Sequence, residues 1–260
     1  MRLATTSDGR AGRIEGDLFV PLAPSVSEVL AGAAPREAGP AVPLGDVVLG
    51  PPIRPTTLIG VGLNYRDHVA EAGLELPPAP LLFAKLPGSV IGPGEPIVSP
   101  AGDVQLDYEA ELGVVIGRAA RDVPVERALA HVAGYTCVND VSERRAQFGD
   151  GQWLRGKSFD TFAPVGPVVV TADEIDDPQA LAVSCTVDGE VRQSSSTAAM
   201  VFGVAEIVAH CSRSFTLHPG TLIATGTPAG VGMADGRWLR PGQVVTVEVE
   251  GIGALTNPVA

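Results

Sequence analysis

The chain has 260 residues, of which 45% are hydrophobic and 18% charged, enough for one large domain or for one domain with a small appendage. Its formal net charge of −12 at pH 7 repels the phosphate backbone and argues against nucleic-acid binding. The 31 glycines and 23 prolines show no repeat period and favour a β-rich fold with many turns over a helical bundle.

Apolar runs and cysteines indicate the cellular compartment of the protein. No apolar run reaches the length that crosses a membrane, and the first residues contain no apolar signal-peptide core, so we expect no membrane attachment. Cys137, Cys185 and Cys211 are widely spaced and form no CxxC pair, which predicts reduced thiols rather than disulfides or a zinc site. We therefore expect a cytoplasmic protein.

The pattern along the chain predicts a small N-terminal β-rich subdomain over residues 1–52 and a main domain over 53–260. Residues 13–20 predict a strand, a turn at Glu-Gly-Asp and a second strand. Residues 31–43 are rich in Ala, Gly and Pro and predict a loop. In the main domain we predict strands over 58–62, 107–117 and 245–249, helical turns over 69–74, short helices over 125–132 and 141–148, and an amphipathic helix capped by Ser195 or Thr197 and running to about Phe215.

The predicted strand over 107–117 begins with alternating acids. Asp107, Glu109 and Glu111 would point to one face of a strand, and like charges this close repel unless a cation joins them or one is protonated. The alternative is a solvated face of an edge strand. The apolar run that follows favours a strand entering a core.

A fourth acid, Asp140, follows another mostly apolar stretch. Alone it would be interpreted as a helix N-cap. With Glu109 and Glu111 it completes an oxygen-only ligand set that suits Mg²⁺ or Mn²⁺. Three protein ligands leave positions for water or substrate, as a catalytic site requires. We expect Asp107 to lie outside this ligand set.

Other candidate residues surround these acids. His68 and Glu71 are three apart and would share a helix face, where the carboxylate can orient the imidazole to take a proton from water; the alternative is a surface pair formed by chance. Arg144 and Gln147 are also three apart and could bind a substrate carboxylate. Four further cations lie near the predicted acidic elements: Arg66, Arg145, Arg155 and Lys157. We take Arg66 as a further substrate-binding candidate. For Arg145 and Arg155 the alternative is ion pairing with the surplus acids.

The Gly-rich segment 225–232 lacks the Gly-Lys-Ser/Thr of a P-loop. Its hydroxyls and backbone N–H groups could still hold an anion.

These motifs together resemble the fumarylacetoacetate hydrolase family in its shorter bacterial branch. The matching stretches are GLNYRDHVAEAG (62–73), LLFAKLPGSVIGPGEPI (81–97), DYEAELGVVIGR (107–118), GYTCVNDVSERRAQ (134–147), QWLRGKSFDTFAPVGP (152–167) and ATGTPAGVG (224–232). The resemblance implies an α+β, predominantly β fold, a mixed β-sandwich roll with short helices, and a homodimer that holds Mg²⁺ or Mn²⁺.

The resemblance also implies roles for individual residues. The metal ligands would be Glu109, Glu111 and Asp140. The catalytic dyad would be His68 and Glu71, carried on a mobile lid that we place at about 66–80. Lys157 would be the active-site lysine, while Arg144, Gln147 and Thr227 would contact substrate. The family commonly has Ser-Ala-Arg-Asp after the metal Asp; here Arg145 replaces the acid, adding positive charge near the site.

Several activities share this set of residues. Our first hypothesis is a metal-dependent hydrolase that cleaves a C–C bond in a small acylpyruvate-like 2-oxo acid through a metal-stabilised enolate. The second is a decarboxylase or enol isomerase of oxo-diacids in aromatic catabolism. A third is a non-catalytic metal-binding protein, against which the retention of every site residue type argues.

Overall fold

Eighteen strands and seven short helices make up the computed structural model, which describes residues 1–260. The strands are β1 (Arg2–Thr5), β2 (Ala11–Glu15), β3 (Leu18–Ala23), β4 (Arg36–Glu37), β5 (Val42–Pro43), β6 (Leu58–Gly62), β7 (Leu81–Lys85), β8 (Val90–Ile91), β9 (Leu106–Asp107), β10 (Ala110–Ile116), β11 (Val132–Asn139), β12 (Ser142–Glu143), β13 (Ala163–Thr171), β14 (Ala182–Val187), β15 (Glu190–Ser196), β16 (Leu222–Ala224), β17 (Val244–Val249) and β18 (Gly253–Pro258). The helices are α1 (Val26–Leu30), α2 (Arg66–Glu71), α3 (Val125–Ala128), α4 (Arg144–Gly149), α5 (Leu154–Lys157), α6 (Val204–Ser214) and α7 (Gly232–Asp235).

Twelve strands form one mixed sheet with the main order β4-β3-β2-β1-β13-β11-β10-β16-β6-β7. Most neighbours are antiparallel, but β16 runs parallel to β6 and β8 runs parallel to β13. At the centre, β10 is buried along its whole length, and its sequence is apolar apart from Glu111, as expected of a strand covered on both faces. This strand therefore carries one carboxylate into the interior.

The N-terminal strands extend this same sheet, because β1 pairs with β13 through Arg2↔Val170 and Leu3↔Val169. A division of the chain near residue 52 stays a prediction.

A second, four-stranded sheet has the order β15-β14-β17-β18. Val245, Val247 and Val249 of β17 are buried while the residues between them are not, which confirms the predicted half-buried strand. Burying each valine contributes about 1.5–3 kcal/mol relative to leaving it exposed. Residues of both sheets share one hydrophobic core, so the predicted α+β, mostly β architecture is confirmed.

Three predicted elements were wrong in extent. The strand over 107–117 is interrupted at Tyr108 and Glu109, and Asp107 belongs to β9, which pairs with β12 in a separate two-stranded sheet. Asp107 therefore does not continue the face that carries Glu111. The interruption follows from hydrogen bonding, because Tyr108 N donates to Asp107 Oδ1 and Glu109 N to Asn139 Oδ1 instead of to a strand.

The long amphipathic helix is shorter than its pattern predicts. Ser195 lies in β15, and the Thr197 hydroxyl accepts a hydrogen bond from Leu181 N, so neither caps a helix. Helix α6 begins only after Gly203, whose N–H donates to the Glu206 carboxylate. Likewise, α4 begins at Arg144 rather than near Val141, because the Glu143 side chain accepts from the N–H groups of its first turn.

None of the helices combines the length and apolar character needed to cross a membrane.

Candidate active site

Three carboxylates meet where β10 and β11 lie side by side. Glu111 is in β10, Glu109 immediately precedes it and Asp140 immediately follows β11. The antiparallel register sets Ala110 opposite Asn139, so the start of one strand faces the end of the other. One carboxylate oxygen from each of Glu109, Glu111 and Asp140 lies within 4.8 Å of the others, and all three residues are buried. The structure thus brings the three predicted ligands together.

The electrostatics of these carboxylates differ. Burial raises the pKa of Glu111 well above its ordinary value, and the neighbouring Asp140 and Glu109 carboxylates raise it further. Glu111 accepts a hydrogen bond from Gly226 N at 2.8 Å but forms no salt bridge. Burial also opposes the charged form of Glu109, but the Lys157 and Arg144 cations outweigh it and lower the pKa of Glu109.

Two buried lysines contact the acids. Lys157 Nζ lies 2.8 Å from Glu109 Oε2 and 2.7 Å from Asp140 Oδ2. Burial opposes the charge on Lys157, but Asp140 and Glu109 outweigh it and raise its pKa. Lys85 Nζ lies 2.5 Å from Asp140 Oδ1 and 3.2 Å from Val141 O.

Lys85 was missed by the sequence reasoning, although a signal was present. The chain has only two lysines, Lys85 and Lys157, and Lys85 ends the apolar stretch LLFAK. A lysine in such a stretch needs an anionic partner if it is buried. Three crowded carboxylate oxygens, one of them without a paired cation, form a donor set that fits a divalent ion.

Arg144 connects the acids to a predicted substrate contact. Its Nη1 lies 2.7 Å from Glu109 Oε1 and donates to Gln147 Oε1 at 2.9 Å. Its Nε donates to Asp107 Oδ2 at 2.9 Å, and Asp107 also accepts from Gly232 N at 2.7 Å. Asp107 therefore binds Arg144 and lies outside the carboxylate cluster.

His68 and Glu71 lie together on α2. His68 Nδ1 is 3.4 Å from Glu71 Oε2, and Glu71 Oε1 accepts from Gly230 N at 2.9 Å. Arg66, on the same helix, is exposed and donates to Met200 O, so the structure does not bring it to the acids. Arg145 pairs with Asp103 at 2.7 Å with its side chain 53% exposed, so its charge is directed to solvent.

The Gly-rich loop serves the site mainly through its backbone. Besides Gly226 and Gly230, whose N–H groups bind Glu111 and Glu71, it supplies the Thr227 hydroxyl, which donates to Ala110 O at 2.9 Å. Gln193 Nε2 donates to Thr227 Oγ1 at 2.8 Å. The expected anions are thus carboxylates of the protein itself.

A cavity of about 100 Å³ opens beside Glu109. A larger cavity of about 460 Å³ lies among hydroxyl side chains of the N-terminal strands and contains none of the predicted residues, so we assign the site to the smaller one. The predicted residues that line the smaller cavity are His68, Glu109, Arg144, Gln147, Lys157 and Thr227.

Comparison with known proteins gives a family for this chain. Residues 57–260 match the family model described as fumarylacetoacetate (FAA) hydrolase C-terminal. The chain belongs to the fumarylacetoacetate hydrolase family. A Burkholderia multivorans member named only as a hydrolase is 51% identical over 199 residues, covering 75% of this chain and 71% of that protein.

Solved structures of this family align over the whole chain. The fumarylacetoacetate hydrolase from psychrophilic Exiguobacterium antarcticum has a TM-score of 0.89 at 40% identity, covering 100% of this chain and 99% of that chain. The 5-carboxymethyl-2-hydroxymuconate delta-isomerase from Mycobacterium smegmatis has a TM-score of 0.88 at 40% identity with the same coverage. The family thus includes both a hydrolase and an isomerase, and membership identifies this protein as an enzyme.

Proposed function

We propose that this protein is a divalent-metal-dependent hydrolase that cleaves a C–C bond in a small acylpyruvate-like 2-oxo acid. The observation that carries the proposal is the buried Glu109–Glu111–Asp140 cluster beside a cavity that His68, Arg144 and Lys157 also line. The acids would hold Mg²⁺ or Mn²⁺. When bound, such an ion supplies positive charge for the oxygens of the 2-oxo acid as negative charge develops on them.

The side chains of the cavity have separable tasks in this reaction. Arg144 and Gln147, already hydrogen-bonded to each other at 2.9 Å, would hold the substrate carboxylate, with the Thr227 hydroxyl nearby. His68, oriented by Glu71, would take a proton from water, and the water oxygen would attack the acyl carbonyl carbon. The bond between that carbon and the methylene carbon then breaks, and the methylene carbon takes a proton. The products are a carboxylate and pyruvate.

Lys157 is suited to stabilise the negative charge that develops before the last proton transfer. The acids beside it raise its pKa, so it stays charged at neutral pH. In this proposal its positive charge stabilises the carbanion or enolate that the methylene carbon forms before it is protonated.

The second candidate is a decarboxylase or enol isomerase of oxo-diacids in aromatic catabolism. It is favoured by the similarity to the Mycobacterium smegmatis isomerase, and the same dyad could move a proton to carbon. Purified protein with Mg²⁺ should be incubated with acetylpyruvate, oxaloacetate and a hydroxy-dienedioate, and the products identified. Acetate and pyruvate from acetylpyruvate would support the hydrolase, whereas turnover of only the other substrates would replace it with the second candidate.

We also propose a cytoplasmic homodimer that binds neither nucleic acid nor membranes. The three free, buried cysteines suit a reducing compartment. In this proposal a second copy covers the open edge strand β7. Leu81 at the start of this strand is 41% exposed, and Leu86, just after its end, is 51% exposed. Light scattering of the wild type and of Leu86→Lys would test this, since a wild-type monomer contradicts it.

A further inference from the structure

The cavity beside the carboxylate cluster has two chemically different ends. Its arginine and its lysine lie at one end, where Arg144 pairs with Asp107 and Glu109, and Lys157 pairs with Glu109 and Asp140. Apart from Glu109, His68, Gln147 and Thr227, the rest of the lining is apolar. Its large apolar residues are Leu63, Leu74, Phe83, Phe148, Trp153 and Met233.

Two aromatic rings form a fixed part of the apolar wall. Phe83 and Trp153 meet edge to face with ring centroids 5.3 Å apart. Both rest on β6 at glycines: a Cβ at Gly60 would lie 2.1 Å from the Phe83 ring, and one at Gly62 would lie 2.5 Å from Trp153. Any larger residue at these glycines would displace the rings.

The wall begins directly beside the charged end, since Lys157 Nζ lies 5.0 Å from the centre of the Phe83 ring. A substrate held by its carboxylate at Arg144 would therefore run its remaining atoms along this wall. The nearby cation Arg145 points to solvent and pairs with Asp103. His68 also lines the cavity, but it is already held by the Glu71 carboxylate at 3.4 Å. A second carboxylate on the substrate would thus lose water against rings and aliphatic groups without gaining an unpaired cation, which is unfavourable.

We infer that the substrate carries a single carboxylate at the metal end and an uncharged, apolar acyl or aryl group at the other. This inference rests on the proposed function only for the placement of the 2-oxo acid group. Among 2-oxo acids, the inferred substrates are those whose end away from the carboxylate is apolar and can pack against Phe83, Trp153 and Leu74.

The test compares two unreactive ligands of equal chain length, 2-oxooctanoate and 2-oxooctanedioate, by calorimetry on the Mg²⁺-loaded protein. Neither contains the cleavable β-dicarbonyl, so binding is measured apart from turnover. We expect the monoacid to bind at least about tenfold more tightly, since mismatched groups in a binding pocket change affinity by at least this factor. Equal or tighter binding of the diacid would overturn the inference.

A matched pair of variants locates the preference. Leu74 and Leu76 are 55% and 54% exposed, but only Leu74 lines the cavity. Leu74→Arg should reduce the preference for the monoacid by several-fold, and Leu76→Arg should leave it unchanged; identical effects of both variants would also overturn the inference. Turnover of 2,4-dioxooctanoate is measured separately. If this compound is not cleaved but the protein still binds the monoacid more tightly than the diacid, the proposed hydrolase is rejected and the inferred substrate class is retained.

Discussion

Replacing Lys85 by Met should destabilise the metal-free protein, and a divalent ion should recover much of the loss. The side chains of Lys85 and Asp140 are both 0% exposed, and their charged atoms are 2.5 Å apart. Removing one partner of a buried ion pair costs about 3–5 kcal/mol, because the other charge is left without compensation. Asp140 keeps Lys157 at 2.7 Å, and burial lowers the pKa of Lys85 against the opposing effect of Asp140. We therefore expect the low end of that range, about 3 kcal/mol.

A divalent ion should reduce this difference because it can bind the Asp140 oxygen that Lys85 occupies. Any ligand that binds only the folded state stabilises it, by about 2.7 kcal/mol at one hundred times its Kd. If Lys85 competes with the ion, Lys85→Met binds the ion more tightly and gains more stability than the wild type. The difference between the two proteins should then fall by at least about half in excess Mg²⁺.

The assay is urea unfolding of both proteins in EDTA and in excess Mg²⁺. Arg145→Met is the control, since an exposed pair such as Arg145–Asp103 contributes only about 0–1 kcal/mol. A loss of less than about 1 kcal/mol in EDTA would refute the buried-pair reasoning. A difference that stays the same or grows in Mg²⁺ would show that Lys85 supports the ion instead of competing with it.

The remaining predictions concern the acids, the dyad and the lid. Glu111→Gln should abolish Mg²⁺ binding in calorimetry, and wild-type affinity would contradict the ligand assignment. The pKa of Glu111 is raised in the folded protein, so the free energy of unfolding falls as pH rises above the unfolded-state pKa of this carboxyl. Urea unfolding in EDTA should therefore show Glu111→Gln to be more stable than wild type at neutral pH. An equal or lower stability of the variant would contradict this. His68→Ala should lose about 10²–10⁴-fold in turnover while keeping oxalate affinity, whereas an equal loss of affinity would make His68 a binding residue. Amides over 66–80, where residues 70–76 are all exposed, should exchange fast and be slowed by oxalate; equal protection with and without oxalate would argue against a lid.

Local pattern was sufficient to predict the three carboxylates of the cluster. Glu109 and Glu111 stand two residues apart at the start of an apolar run, and Asp140 ends another such run. Charges next to sequences that must be buried require compensation, and this requirement is visible without knowing the fold. The His68–Glu71 spacing was also readable, because a single helical turn sets both positions.

Sequence pattern was less reliable where a residue's role depends on a distant strand. The acids at 107, 109 and 111 alternate as if on one strand, but pairing of β9 with β12 removes Asp107 from that strand. Ser195 and Thr197 have the residue types of helix caps. In the structure, however, Ser195 pairs with β14, and the Thr197 hydroxyl accepts a hydrogen bond from Leu181 N. For the two caps, long-range contacts outweighed a local capping preference of about 1 kcal/mol.

The sequence by itself determined which residue types the site contains and that its acids need cations. Only the tertiary structure decided which cations those are. Lys85 lies 55 residues before Asp140 and ends β7, four places along the sheet from β11, which Asp140 follows, so only the three-dimensional fold brings the two together. Arg145, five residues after Asp140, points to solvent. Periodicity reports which face of an element is buried, but the partner that a buried charge meets is set by strand order, which depends on contacts far apart in the chain.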